Sequence, residues 1–403
     1  MVGVGAALHL QKRGRDVILV DRHSLAGEET SYGNSGIIEC ASVFPYMFPR
    51  DFGQILKYAL NRAPSVRYRI ADLPEFLPWL VRYFLASSPE RTLHSAMAEL
   101  PLIQRSLIEH EALIAEANVP DLLRRDGWIK LFRSKATLAG AVGELERARQ
   151  YGVAGEILDT AAIIAREPHL TGDFSGAIHF PAPGFVPDPG GLAKAYAALF
   201  GRKGGRFVVG DARTLEPSGN RWRISTDEGS VTAREVVVAM GPWSDQVFRP
   251  LGYSMPLNVK RGYHVHLKAN GNAVLNHPVL DTDQGFLLAP MNRGVRITTG
   301  VEFASRDAPP SLVQVERALP RARALFPLGE AIDAKPWKGA RPCLPDMLPV
   351  IGKAPRHPGL WFDFGHQHHG LTLGPVTGRL LAEMMTGEAP FADPTPFAAE
   401  RFG

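Results

Sequence analysis

Two arginines are candidates for binding an anionic ligand. Arg341 lies in a segment rich in glycine and proline, and Arg296 lies in a segment that alternates like a β-strand. A guanidinium group is planar and binds a carboxylate through two parallel hydrogen bonds, which fixes its orientation as well as its position. An arginine can also be structural, and Asp346 is close enough in sequence to pair with Arg341. Both arginines are therefore candidate anion contacts, and Arg296, which alternates in a predicted strand, is the weaker candidate.

A predicted helix near the C-terminus is preceded by histidines and glycines. His366, His368 and His369 come before it, Pro375 is expected at its first position, and Gly387 follows as a stop signal. The free N–H groups and the dipole at a helix N-terminus stabilise negative charge nearby. The alternative is that the glycines and the proline only form a turn. The histidines lack the spaced cysteine, carboxylate or distant histidine partners of a zinc site, so we predict no metal.

The N-terminal stretch predicts elements that would position a nucleotide. Apolar residues recur at helical spacing over 4–13, Gly14 can end that helix, and residues 16–21 form a buried strand that ends on Asp21. This is the back half of a βαβ dinucleotide unit, in which the helix N-terminus faces a pyrophosphate and an acid about 20 residues on binds the ribose. Gly3 fits the last glycine of that unit.

The first strand and the first two glycines of such a unit would have to precede Met1. We therefore expect the start of this sequence to be internal to the gene, and the sheet to lack the strand beside residues 16–21. From these residues alone, NAD and FAD both fit, as does any α/β protein with a helix before a strand ending on Asp.

Four segments resemble the FAD-dependent oxidoreductases of the D-amino-acid oxidase and dehydrogenase family. Glu29 to Gly36 (ETSYGNSG) matches the family's E-T-S-x-x-N-x-G. Residues 188–192 match D-P-x-x-L, residues 235–244 match V-V-x-A-x-G-x-W-S, and residues 338–352 match G-x-R-P-x-x-P-D-x-x-P-x-I-G. The resemblance spans nearly the whole chain and favours FAD.

The resemblance implies an α/β fold in which a Rossmann-like FAD-binding domain of the glutathione-reductase type is interleaved with an α+β substrate domain whose sheet is mostly antiparallel. The FAD-binding domain would comprise residues 1–45, 186–247 and 336–403, and the substrate domain residues 46–185 and 248–335. The substrate domain is predicted to contain strands over 259–267, 279–289 and 294–303 and a helix over 310–325.

The resemblance also implies a set of cofactor-binding residues. These are Gly3, Asp21, Arg22, Thr30, Ser31, Asn34, Gly36, Ile37, Gly241, Trp243, Gly365, His366, Gly370, Leu371 and Thr372.

The substrate side of the site follows from the same comparison. In several family members the arginine of the last motif meets the substrate carboxylate, and here that residue is Arg341. Related dehydrogenases place a Gly-Tyr pair on a roof strand, and here Tyr263 either binds the carboxylate or only packs. Tyr46 follows the flavin-contacting segment and is expected to line the pocket, and His369 is expected to face the flavin or the substrate.

The implied function is an FAD-dependent D-amino-acid dehydrogenase or oxidase. A hydride equivalent would move from the α-carbon to flavin N5, and water would hydrolyse the imino acid to a 2-oxo acid and ammonia. The substrate would be a D-amino acid or a secondary amino acid, and the electron acceptor a respiratory quinone or O2. One rival is an amine oxidase of the sarcosine, glycine or D-hydroxyproline type. The other is a non-catalytic protein that does not retain FAD.

Composition limits the other classes. The 403 residues contain two cysteines, so a disulfide framework is excluded and a cytoplasmic location is the default. The net charge of +4 is spread over scattered basic residues, which does not indicate nucleic-acid binding. The apolar stretch over 71–86, broken by Pro74 and Pro78, is either a core helix or a peripheral contact with the inner face of the cell membrane.

Overall fold

The structure, a computed structural model, describes residues 1–403. Its α-helices are Val2–Gln11 (α1), Phe52–Ala59 (α2), Leu73–Ala86 (α3), Pro89–Ala117 (α4), Lys135–Arg149 (α5), Thr160–Arg166 (α6), Pro189–Arg202 (α7), Asp245–Phe248 (α8), Val313–Leu325 (α9) and Gly370–Thr386 (α10). Its first eleven strands are Ile18–Asp21 (β1), Ile37–Ile38 (β2), Val66–Tyr68 (β3), Trp128–Phe132 (β4), Glu156–Leu158 (β5), Gly176–Phe180 (β6), Gly184–Phe185 (β7), Arg206–Val209 (β8), Glu216–Ser218 (β9), Arg221–Thr226 (β10) and Gly229–Ala233 (β11). The remaining strands are Val236–Val238 (β12), Asn258–Ala269 (β13), Val279–Asp281 (β14), Phe286–Met291 (β15), Gly294–Thr299 (β16), Val301–Phe303 (β17), Leu328–Ala331 (β18), Trp337–Cys343 (β19), Val350–Lys353 (β20) and Leu360–Phe364 (β21).

The nucleotide-type elements form where the sequence predicts them. The helix α1 ends just before Gly14, whose φ of +74° is a left-handed conformation that glycine adopts without strain. The strand β1 follows and ends on Asp21. The prediction of a helix, a glycine stop and an acid-ended strand is therefore confirmed.

The parallel strands of this region lie in two separate pieces. One piece is β1 paired with β8, and the other is β12 paired in parallel with β21, which also pairs with β20 in the antiparallel sense. No ladder joins the two pieces, so β1 has β8 as its only partner. The edge of β1 opposite β8 therefore has no hydrogen-bonded strand beside it.

A larger, mostly antiparallel sheet of eleven strands forms the other half of the fold. Its order is β3-β17-β13-β16-β15-β14-β4-β6-β5, and β18 and β19 also pair with β13. The predicted strands correspond to β13, to β14 with β15, and to β16 with β17, and the predicted helix is α9. The strand β19, from the last family motif, pairs with β13 over seven residue pairs and so belongs to this sheet.

The start of α10 differs from the prediction. The helix begins at Gly370, five residues before Pro375, so the proline lies inside it. Proline has no N–H to donate to the carbonyl four residues back, which is that of Leu371. The Nε2 group of His110 donates to this carbonyl instead, at 2.8 Å. A bond from a distant helix therefore lets α10 continue through its proline, and the predicted stop at Gly387 is confirmed.

Two glycine contacts let α1 and α10 pack backbone to backbone. A Cβ on Gly5 would lie 2.6 Å from the carbonyl oxygen of Gly374, and a Cβ on Gly378 would lie 2.4 Å from the backbone nitrogen of Ala6. Real Cβ atoms do not approach backbone atoms this closely, so these positions require glycine. This contact holds the N-terminal end of α10 against α1.

We predict that Gly378→Ala destabilises the protein by about 1–3 kcal/mol, because the new methyl group must push the two backbones apart. The matched control is Gly140→Ala on α5, where the new methyl group would have no neighbouring atom within 4 Å. The control should be neutral or stabilising by up to about 1 kcal/mol. Thermal denaturation measures both, and equal melting temperatures for the two variants would contradict the proposed helix contact.

Candidate active site

One continuous cavity of about 2030 Å³ runs between the nucleotide-type strands and the large antiparallel sheet. Ligand pockets for single small molecules are typically about 300–1,000 Å³, so this space can hold a dinucleotide together with a small substrate. The predicted residues that border it are Gly3, Asp21, Arg22, Thr30, Ser31, Asn34, Ile37, Tyr46, Gly241, Trp243, Tyr263, Arg341, His366, His369, Gly370 and Leu371. The structure thus brings most of the predicted site together.

Three predicted cofactor residues lie behind the cavity wall instead. Gly36 packs under the carbonyl of Val186, and Gly365 packs against Leu344. The hydroxyl of Thr372 accepts a hydrogen bond from the backbone N–H of Glu39 and lies 3.3 Å from the carbonyl of Ile37. These residues shape the wall but do not border the cavity.

The nucleotide end of the cavity is built around the end of β1. Asp21 accepts a hydrogen bond from the backbone N–H of His23 at 2.9 Å, which orients its carboxylate. Arg22 pairs with Glu29 and lies 4.0 Å from the centre of the Trp243 ring, so it joins the loop after β1 to the turn after β12. In that turn Gly241 has a φ of +55°, and a Cβ added there would have no neighbour closer than 3.9 Å, so its backbone is open to a ligand.

The loop with the E-T-S-x-x-N-x-G motif is tied to both halves of the molecule. The hydroxyl of Thr30 donates to the carbonyl of Ala340 on β19 at 3.1 Å. The side chain of Asn34 accepts from the Gly36 N–H at 2.9 Å and donates to the His368 carbonyl at 3.3 Å. Ser31 accepts a bond from the Met1 amine at 3.3 Å. These contacts make the loop a fixed wall between β19 and the start of α10.

The first turn of α10 faces the cavity through Gly370 and Leu371. A Cβ on Gly370 would have no neighbour closer than 3.9 Å, so a ligand can approach the backbone there. The helix terminus would stabilise a negative charge by about 0.3–2 kcal/mol. Together with the open backbone at Gly241 and the carboxylate of Asp21, this arrangement fits FAD, which has an anionic pyrophosphate and a flavin ring that becomes more negative on reduction.

Arg341 presents an unpaired guanidinium group to the cavity. Its NH1 group donates to the carbonyls of Arg261 and Gly300, at 3.4 and 3.2 Å, and it forms no ion pair with a carboxylate. Asp346 pairs with Arg401 instead, at 2.8 Å, so the alternative of an Arg341–Asp346 pair is wrong. A Cβ on Gly262 would lie 2.7 Å from the guanidinium NH2 group, so that glycine makes room for the arginine.

Arg296 does not reach the cavity, which corrects the prediction for this residue. Its Nε group donates to His266 at 2.9 Å, and its NH1 group donates to the carbonyls of Tyr32 and Asn34. Arg296 is 3% exposed and does not border the cavity. It therefore fastens the motif loop to the sheet and is not placed to bind a substrate.

Tyr263 borders the cavity, but its hydroxyl is already occupied. The hydroxyl donates to Glu302 at 2.5 Å and accepts from the Ser311 N–H at 3.0 Å, beside the guanidinium of Arg261. Of the two interpretations of Tyr263, the structure supports packing. Gly262 directly precedes Tyr263 and lies on the opposite face of β13. This is the face that also carries Lys260, and both residues border the cavity.

Tyr46 and the histidines form the wall between Arg341 and the start of α10. Tyr46 is 59% exposed, with its open side toward the cavity, and its ring centre lies 5.2 Å from that of His368. Because that open side faces an internal cavity and not bulk solvent, desolvation, and then the carboxylates of Glu39 and Glu144, raise the pKa of Tyr46 to about 12, so the phenol stays neutral. Burial and the neighbouring cations hold the pKa of His368 well below its usual range, so that ring is neutral as well.

The other two histidines differ in their bonding. His366 lies 3.1 Å from the Thr377 hydroxyl and 3.2 Å from the Asp363 carboxylate, so it belongs to a buried polar cluster. Both ring nitrogens of His369 lack a hydrogen-bond partner, and its Nδ1 atom is 3.9 Å from Glu99. Of these two histidines, His369 is the one whose ring nitrogens are free to bond a ligand at the cavity.

Lys260 and Glu39 are charged residues that border the cavity but were not predicted from the sequence as site residues. Lys260 lies one strand period from Gly262, and its ammonium group donates to the Tyr83 hydroxyl at 2.9 Å. Glu39 directly follows the buried pair Ile37–Ile38 of β2, and burial raises its pKa to about 7. Glu39 could have been predicted from the sequence, because a charged residue directly follows two apolar residues that are expected to be buried. Lys260 could have been predicted because it lies two residues before Gly262 and therefore on the same face of the strand.

The course of the cavity defines the class of protein. It joins the nucleotide end of β1 to an unpaired arginine under an antiparallel sheet, as an FAD-dependent oxidoreductase of a small anionic substrate requires. The sequence profile of the DAO family, described as FAD-dependent oxidoreductases, matches residues 1–384. The chain belongs to this family.

Individual relatives cover essentially the whole chain. It is 32% identical to a D-amino-acid oxidase of Bradyrhizobium diazoefficiens, over 100% of this chain and 96% of the relative. It is 31% identical to a D-amino acid dehydrogenase of Methylobacterium nodulans, over 97% and 94%. Among solved structures, the glycine oxidase from Geobacillus kaustophilus superposes with a TM-score of 0.76 at 22% identity, over 99% of this chain and 95% of the other, which shows a shared fold.

We predict that Asp21→Ala lowers FAD affinity while the fold persists, because the apolar residues of β1 carry its packing. Charge-assisted hydrogen bonds from a carboxylate to ribose hydroxyls contribute about 1.5–3 kcal/mol each, so the loss should be about ten- to hundredfold or more in Kd. The FAD-to-protein ratio after gel filtration measures this. Asp173→Ala, in an exposed loop, is the control, and unchanged flavin content in the Asp21 variant would contradict the assignment.

Proposed function

We propose that this protein oxidises D-amino acids with bound FAD, giving an imino acid that water hydrolyses to a 2-oxo acid and ammonia. The observation that carries the proposal is the unpaired guanidinium of Arg341 at the cavity of a DAO-family chain. The names of the relatives, D-amino-acid oxidase and D-amino acid dehydrogenase, support the same substrate class.

When bound, FAD supplies the acceptor for the hydride equivalent that leaves the α-carbon. Arg341 binds the α-carboxylate through both of its oxygens and so fixes the direction of the α-hydrogen, which makes correct positioning its main contribution. Oxidation requires a neutral amine, and Glu39, which borders the cavity and whose pKa burial raises to about 7, is the carboxylate we propose as acceptor of the ammonium proton. The first turn of α10 stabilises negative charge at the opposite wall.

The outer surface of α2 and α3 is the basis for our proposal about the electron acceptor. We define the outer apolar surface as Phe52, Leu56, Leu60, Leu77, Val81, Phe84 and Leu85, which are 38–77% exposed. The helix α3 runs unbroken through Pro78, which corrects the prediction, and buries Phe76, Trp79 and Tyr83 on its inner face. The interpretation of this stretch as a core helix therefore holds for its inner face. Its outer face is apolar too but is exposed to solvent.

This surface has the properties of a peripheral lipid contact. Arg50 donates to the carbonyls of Phe84 and Ser87, so it joins the start of α2 to the end of α3. Exposed Lys57, Arg62 and Arg82 lie among the apolar residues. Helices with an apolar face and basic residues bind anionic bilayer surfaces. None of the helices is long and apolar enough to cross a membrane. Because Gln54 and Tyr58 of α2 border the cavity, a lipid-borne quinone is the acceptor that this surface fits.

We predict that Arg341→Lys raises KM and lowers kcat, with a combined loss in kcat/KM of about 10²-fold, because lysine keeps the charge but loses the two-bond geometry. Steady-state kinetics should compare a D-amino acid with the amine that lacks its carboxylate, using a dye acceptor without O2. The wild type should discriminate strongly between the two, and the variant much less.

The matched control is Arg401→Lys, because Arg401 pairs with Asp346 and does not border the cavity. This variant should lower thermal stability without changing KM. Equal discrimination in the wild type and the Arg341 variant would remove Arg341 from the substrate site. A panel that includes glycine, sarcosine and D-proline tests the rival amine-oxidase class, and a purified protein without the flavin's yellow colour would contradict the enzyme proposal.

We predict that the wild-type protein sediments with vesicles containing phosphatidylglycerol. The double variant Phe52→Glu/Leu77→Glu should reduce the bound fraction at least tenfold, because each change places a charge in the apolar contact. Val274→Glu, 55% exposed on a different surface, is the control and should bind like the wild type. A wild type that stays in the supernatant, or equal binding by the double variant, would refute the lipid contact.

A further inference from the structure

Two cations project from the same face of the large sheet into the cavity. Lys260 on β13 and Arg341 on β19 are direct cross-strand partners, so their side chains lie on one face of the sheet. Both residues border the cavity. The ammonium group of Lys260 donates to the Tyr83 hydroxyl and contacts the Met347 sulfur at 3.5 Å, and Lys260 is only 7% exposed.

Neither cation has an anionic partner in the protein. Arg341 bonds only to carbonyl oxygens, and Lys260 bonds only to a phenol and a thioether. Burial raises the pKa of the Cys343 thiol and of the Tyr83 phenol, so neither neighbour supplies a negative charge. The carboxylates that border the cavity do not pair with either cation, since Glu144 lies 3.9 Å from Lys130 and the charges that act on Glu39 are those of His369 and Lys130.

Other buried arginines of this sheet either pair with a carboxylate or, like Arg296, bond to a histidine and carbonyls away from the cavity. The buried cation Arg261 pairs with Glu302 at 3.1 Å, and Arg133 pairs with the buried Asp281 at 2.8 Å. Like charges placed directly opposite each other destabilise a sheet, and a buried charge without a partner costs several kcal/mol. Two adjacent, uncompensated cations at a ligand cavity therefore indicate a ligand that brings two negative charges.

Resting on the proposed function, we propose that Lys260 binds a second carboxylate of the substrate, so that the preferred substrates are acidic D-amino acids. Arg341 suits the α-carboxylate, because its fork fixes orientation at the reacting carbon. Lysine is a flexible point charge and suits the carboxylate at the end of a side chain. The ring of Tyr83 borders the cavity 4.0 Å from the ammonium group and provides an apolar surface for the methylene groups between the two carboxylates.

The test measures how the holoenzyme oxidises pairs of D-amino acids that have the same shape and differ only in a side-chain carboxylate or amide. The wild type should have a kcat/KM at least tenfold higher for D-glutamate than for D-glutamine, and for D-aspartate than for D-asparagine. Lys260→Met should lower these ratios at least tenfold. Lys338→Met is the matched control, because Lys338 is on the same strand as Arg341 but donates to carbonyls outside the cavity, and its ratios should equal those of the wild type.

A binding measurement complements the kinetics and does not depend on turnover. Glutarate should raise the melting temperature of the wild type more than butyrate at equal concentration, and Lys260→Met should remove the difference. Should the variant fail to fold, the wild-type comparisons decide. A wild type that prefers the amides, or a variant that loses the same factor on acids and amides, would overturn the second-carboxylate site. The absence of flavin reduction by every D-amino acid would instead refute the proposed function, and glutarate selectivity would still support the two-cation site.

Discussion

The pairing of β19 with β13 is the interaction on which the candidate site depends. Seven residue pairs join these strands, and Arg341 is held opposite Lys260 within them. The same strand meets the nucleotide half of the molecule, because Thr30 bonds to the carbonyl of Ala340 and the backbone of Cys343 bridges to His366. Side chains on a strand alternate between faces, so a slip of one residue would turn the guanidinium away from the cavity. One strand therefore sets both the position of the substrate anion and its relation to the start of α10.

Local patterns predicted the parts of the fold that depend on nearby residues. The glycine stop at Gly14 and the strand that ends on Asp21 need only their own sequence, and the loop and β19 motifs were recognised from residue type and spacing. The same reasoning left two interpretations of Tyr263 open, and it was wrong for Arg296. Nearly every residue of β13 is buried on both faces, so alternation of polar and apolar residues does not show which face borders the cavity. That choice is made by the neighbouring strands and by the loop that covers them.

A distant contact explains why α10 continues through its proline. The Leu371 carbonyl freed by Pro375 is taken by His110, which lies on α4 and is far away in sequence. Burial lowers the pKa of His110 to about 4, so this ring remains neutral and can donate and accept at once. The expectation of a helix start at Pro375 was reasonable from local rules, since proline is most often tolerated in a first turn. Only a tertiary hydrogen bond makes the earlier start at Gly370 possible, and with it an open backbone at the cavity.

The helix α3 connects the two proposals made for this protein. Tyr83 on its inner face holds the ammonium group of Lys260, and the next residue, Phe84, belongs to the outer apolar surface. A shift of α3 would therefore move both the hydroxyl that binds Lys260 and the outer apolar surface. Under the two proposals, a carboxylate at Lys260 lies against the inner face of α3, and the lipid contact at Phe84 lies on its outer face. The acidic substrate and the surface that delivers the electron acceptor would then meet at a single helix, with the inner face selecting the substrate and the outer face selecting the membrane.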